Sequence, residues 1–108
     1  MYYISDPKFW RKMMTKIVEY PAIFDDTQND PGVYSVNFPD VPDALTYGYT
    51  LNQAIKRAPG ALGISLYGNS DSEMPTPSDL KDVQKDNPQA IVNLVSVDLD
   101  DLDVEEIN

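Results

Sequence analysis

The chain has 108 residues, 18 acidic against 8 basic side chains, a net charge of −10, and neither histidine nor cysteine. That length holds one small core and excludes an enzyme with a separate cofactor domain. The missing residue types exclude the usual zinc sets, thiol nucleophiles, disulfides and Ser-His or Cys-His catalysis, and the acid excess favours a basic partner over a phosphate backbone.

Asp6-Pro7 reads as a helix start, with Asp6 as N-cap and Pro7 at the first helical position. Phe9, Trp10, Met13 and Met14 then form one apolar stripe, which sets residues 1–14 apart as a helical arm. Such an arm packs on its own domain or on a partner subunit. From Thr15 to Phe24 the period becomes two: Val18, Tyr20, Ala22 and Phe24 face one way, and Ile17, Glu19, Pro21 and Ile23 the other. Pro21 has no N–H for a ladder and is expected at a bulge, an open edge or an unpaired strand start. The stretch from Asp25 to Gly32 is turn-rich, and Tyr34, Val36 and Phe38 complete a hairpin. Phe38-Pro39-Asp40-Val41-Pro42-Asp43 cannot continue as strand and makes a stiff loop, after which Ala44–Tyr47 forms a short third strand.

Thr50 is the N-cap of the main helix, and Gln53 stands three residues on, as a capping box requires. Its apolar face comprises Leu51, Ala54, Ile55, Ala58, Ala61, Leu62, Ser65 and Leu66, and Pro59-Gly60 predicts a kink or a break. Residues 68–89 form a linker rich in Pro, Ser and Asp, within which Ser78 caps one or two turns, with Leu80 and Val83 as a weak apolar side. Ala90–Val97 is the last strand. It is apolar on both faces, which predicts an interior position or a second covering layer. The organisation expected is an arm over 1–14, a domain over 15–98 and an acidic tail over 99–108. The fold class is α+β: a βββαβ unit with a three-stranded antiparallel meander, a right-handed crossover helix and a final strand, preceded by an extra N-terminal helix.

No chemical constellation stands out. Asp25, Asp26 and Asp30 share a turn, and Asp40 and Asp43 a loop, without a metal-dependent nuclease spacing. The run from Asp98 to Asp103 lacks the central glycine and the terminal glutamate of a calcium loop. Tyr34, Tyr47, Tyr49 and Tyr67 suit base stacking, but without basic neighbours packing is the simpler role. Neither a catalytic residue, nor a metal ligand, nor a cofactor is assigned. With no apolar run of about 20 residues and no leader pattern, a cytoplasmic protein is expected.

Three ordered motifs carry a resemblance: Tyr20-Pro21-Ala22-Ile23-Phe24; Tyr34-Ser35-Val36-Asn37-Phe38-Pro39-Asp40-Val41-Pro42; and Gly48-Tyr49-Thr50-Leu51-Asn52-Gln53-Ala54. Together with the Met74–Ser78 proline-rich segment and the strand Ala90–Asp100, they resemble the HicB antitoxin family over roughly Lys16 to Asp101. The resemblance implies a partial ribonuclease-H-like domain without catalytic activity that neutralises a small basic HicA-type, mRNA-cleaving toxin. Gln53 stands where the family has Glu, and Asp43-Ala44 where it often has Gly-Cys. Full-length members usually continue into a DNA-binding domain beyond the point where this chain ends. Direct DNA binding is therefore not expected, and a phage-borne or stand-alone derivative fits the extra arm. The alternative is a stand-alone ribonuclease-H-like RNA-binding protein. Partner-binding residues are expected at Asp40, Asp43, Tyr47 and Tyr49, around the stiff loop. A homodimer interface is expected at Phe9, Trp10, Met13, Met14, Val92 and Leu94, because the sheet face away from the main helix is too apolar to stay open.

Overall fold

A computed structural model describes residues 16–100. Strands β1 (Ile17–Asp25), β2 (Tyr34–Asn37) and β3 (Leu45–Gly48) lead into helix α1 (Leu51–Leu66); a 3-10 turn (Asp71–Glu73), a short helix α2 (Leu80–Asp86) and strand β4 (Ile91–Asp98) follow. The four strands form one antiparallel sheet in the order β3-β2-β1-β4. The predicted strands and main helix are all present, and α1 packs on one face of the sheet.

The period-two reading of β1 holds. Tyr20, Ala22 and Phe24 are buried in the main core with Val36, Phe38, Ala54, Ala58, Leu62 and Leu66, and Val18 packs against its margin. Thr50 Oγ1 accepts from Gln53 N at 3.0 Å, so Thr50 caps the helix as expected, while Gln53 Oε1 reaches back one residue further than a capping box requires and accepts from Tyr49 N at 2.8 Å. The loop after β2 is two successive tight turns, Val41 N to Phe38 O at 3.0 Å and Ala44 N to Val41 O at 2.9 Å. Phe38, Val41 and Ala44, where the two turns begin, meet and end, are buried in the core.

Four expectations need correction. Helix α1 runs unbroken through Pro59. The lost backbone bond is local, whereas Ala54, Ala58, Leu62 and Leu66 bury one continuous face on both sides of it. Ile55 is not on that face and is 49% exposed. Strand β4 pairs with β1 antiparallel, from Ile17–Asp98 to Phe24–Ile91, so the handedness rule for parallel crossovers does not apply. Of the two outcomes its apolar faces predict, it takes the second in part: it is an edge strand with Leu94 43% exposed, and α2 forms part of a covering layer. Finally, the one or two turns expected in the linker form as α2, with Val83 buried, but are capped by Asp79 through Lys81 N rather than by Ser78.

Helix α2 packs against β1 and β4, shares a hollow with Val92, and buries Val83 outside the main core. It therefore supplies part of the second layer that the sequence required on the face away from α1. Pro21 is fully buried beyond the last β1–β2 pair, Ile23–Asn37, where β1 has no β2 ladder for a missing N–H to break. Leu99, at the head of the expected tail, is buried in the core, and its N–H bonds Lys16 O at 2.9 Å. The arm residues Phe9, Trp10, Met13 and Met14, and the tail beyond Asp100, lie outside the described residues. No described helix is long and apolar enough to cross a membrane.

Candidate functional site: an aromatic strip on the outer edge

Strand β3 is the edge opposite β4. Alternation sends Ala44, Thr46 and Gly48 toward α1 and places Leu45, Tyr47 and Tyr49 on the other side, where they are 65%, 47% and 63% exposed. The Tyr47 and Tyr49 rings meet edge to face, with centroids 5.5 Å apart. Arg57 reaches from α1 to lie over the Tyr47 ring, 5.5 Å from its centroid, and donates through Nη1 to Tyr47 O at 3.0 Å. The Tyr49 phenol is pushed above its ordinary pKa, chiefly by hydrogen bonding with that of Tyr47. Cross-strand partners Ser35 and Asn37 of β2 extend this surface, and with Asn29 and Val33 they line a shallow hollow beside Leu45 and Tyr47. The result is an amphipathic ledge, held by the tight join of β3 to α1.

Of the four predicted partner-binding residues, Tyr47 and Tyr49 are brought together here. Asp43 is exposed two residues before β3. Asp40 is engaged elsewhere: Oδ2 accepts from Ser78 N at 2.8 Å and Oδ1 from Ser78 Oγ at 2.6 Å. Tyr20 donates its hydroxyl to Pro75 O at 2.6 Å. These two clasps lead the Met74–Ser78 segment from the α1 face to the α2 face of the sheet. Leu45 and Arg57 were not singled out in the sequence. Strict alternation from Leu45 to Tyr49 is the signal for the first; the second comes from a helix ten residues away and has none.

The acids of the first turn serve local structure. Asp25 Oδ1 accepts from Thr27 N and Thr27 Oγ1, both at 2.7 Å, and these bonds hold its carboxyl below the usual range. Among the described residues no group of three metal-ligating side chains gathers.

Burial, with a smaller contribution from the Asp40 charge, raises the Tyr20 phenol above its ordinary 10.0. Folded Tyr20 thus keeps its proton to higher pH than the unfolded chain does, so its contribution is complete below pH 10.0 and is lost as pH rises beyond it. Tyr20→Phe is expected to cost about 1 kcal/mol at neutral pH. Denaturant melts across the alkaline range should show wild type losing stability faster than the variant, and parallel losses would contradict the clasp.

Residues 20–108 match the family described as HicB_like antitoxin of bacterial toxin-antitoxin system. Antitoxin HicB 2 of Photorhabdus laumondii is 39% identical over 67 residues, covering 60% of this chain and 46% of that protein. Antitoxin HicB 1 of the same organism is 29% identical over 89 residues, covering 81% and 56%. The matches thus span about half the length of these curated relatives. Among solved structures, a toxin–antitoxin complex from Streptococcus pneumoniae aligns with TM-score 0.60 and 30% identity over 79% of this chain and 71% of that one. The N-terminal domain of the Burkholderia pseudomallei antitoxin HicB aligns with TM-score 0.58 and 31% identity over 76% of this chain and all of that domain.

Proposed function

We propose a toxin-neutralising role for this chain, which belongs to the HicB-like antitoxins of bacterial toxin–antitoxin systems. The partner is a small basic toxin of the HicA type, bound by protein–protein contact and not by catalysis. The domain is taken as a variant of the ribonuclease-H-like unit in which the last strand returns antiparallel.

The observation that carries this reading is the strip of Leu45, Tyr47 and Tyr49, large apolar groups exposed on one rigid ledge of a chain with net charge −10. Tyrosines with fixed rings lose little entropy on docking and are favoured at interface centres, while acidic loops such as the one with Asp43 steer a basic partner. Asp40 contributes by fixing the loop through Ser78. RNA is the weaker ligand for the same strip, since stacking platforms need a basic groove along the phosphates.

Co-expression with a small basic toxin of the HicA type tests the role. The expected result is co-purification, with association slowed as salt rises. Failure of the two proteins to co-purify at low salt would discard the reading for that toxin. On the same reading the chain acts as a homodimer, with Val92 and Leu94 at or near the interface.

A further inference from the structure

Strand β4 closes one edge of the sheet, and among the described residues no strand pairs with its outer side. Natural sheet edges are blunted by lysine, proline, bulges or short length. Over its eight residues β4 contains neither lysine nor proline, pairs with β1 without a bulge, and carries a single charge, Asp98, at its end. Ile91 and Leu94 are each 43% exposed. Such an edge is a template for another strand.

We propose that two copies of this chain join through β4, antiparallel, merging their sheets into one; this deepens the homodimer reading above by naming its edge. A two-fold axis that makes two copies of one strand antiparallel neighbours stands perpendicular to the sheet, so both copies keep α2 on the same side. Opposed residues must also share a face. Centring the axis on Leu94 sets Leu94 against the partner's Leu94 and Val92 against the partner's Ser96 on the α2 side. On the α1 side it sets Ile91 against the partner's Val97. Two half-exposed apolar groups are covered at once.

Charge supports the same arrangement. Each copy carries −10, so an interface between two copies needs local cations. Lys81 and Lys85, one helical turn apart on α2, line an open hollow with Val92. Centring on Leu94 brings the partner's Asp98 beside Ala90, whose carbonyl accepts from Gln84 Nε2 at 3.2 Å in the same hollow. The one acid of β4 thereby meets the two lysines of the facing α2, twice per dimer.

Light scattering on the full chain tests the proposal. Wild type should give twice 12.1 kDa at micromolar concentration. Leu94→Asp should give the monomer mass with unchanged circular dichroism, since the side chain is already 43% exposed. Lys81→Glu with Lys85→Glu should weaken self-association at least tenfold, and adding Asp98→Lys should restore it. A dimer indifferent to Leu94→Asp and to the charge reversals would overturn the β4 pairing and leave the homodimer reading standing. A wild-type monomer at every concentration would overturn both, and co-purification with a toxin would be untouched by either result.

Discussion

Gly48→Ala is expected to destabilise the domain by about 3 kcal/mol, the upper end of what overpacking a tight contact costs. A Cβ built on Gly48 meets the backbone N of Ala54, with Ala54 Cα at 2.8 Å and the Gln53 carbonyl carbon at 2.9 Å. All three are backbone atoms of the first turns of α1, so no side chain can swing aside. The helix has to lift from β3, which strains the Thr50 cap, the Gln53–Tyr49 bond and the packing of Ala54 and Ala58 in the core. For a domain of this size the melting temperature should fall by roughly 10–20 °C. The effect reaches function too, because the same join sets where Tyr49 stands relative to Tyr47. A drop of only a degree or two would show that β3 and α1 are not in the close contact described.

Tyr47→Ala with Tyr49→Ala is expected to weaken toxin binding about 100-fold or more while leaving the fold intact. Central interface tyrosines typically cost about 2 kcal/mol or more each on truncation, and about 2.7 kcal/mol corresponds to 100-fold. The two rings contact each other and Arg57 and are 47% and 63% exposed, so their loss removes little core packing. Stability should change by no more than about 1 kcal/mol, part of it from the Arg57–Tyr47 stack. Calorimetric titration of a purified toxin with wild type and the double variant reads the difference directly. The loss should appear mainly as faster dissociation, and reversal of Asp43 should mainly slow association.

What was legible in the sequence is what is local. The alternation of Tyr20, Ala22 and Phe24, the Thr50–Gln53 cap and the two-proline loop each depend on neighbours a few residues apart, and each forms as read. What was not legible depends on distant partners. Pro59 penalises one turn, yet four buried residues around it keep α1 continuous. Ser78 looks like a cap until Asp40, 38 residues away, takes its hydroxyl and its N–H, leaving Asp79 to cap α2. The apolar faces of β4 suggested an interior strand or a covering layer, and nothing in that segment shows that α2, a separate element, supplies part of the layer. The site divides in the same way. Tyr47 and Tyr49 were visible in sequence, whereas Arg57 joins them only through the β3–α1 turn, and Asp40 is drawn into the Met74–Ser78 clasp.

Toxin activity in the presence of this chain tests the central claim most directly. A purified HicA-type toxin partner would be assayed for RNA cleavage while the chain is titrated in. The strip on β3 predicts that wild type suppresses cleavage in proportion to its amount, ending near one chain per toxin, and that Tyr47→Ala with Tyr49→Ala requires a large excess. Undiminished cleavage with excess wild type, or equal suppression by the double variant, would contradict the account.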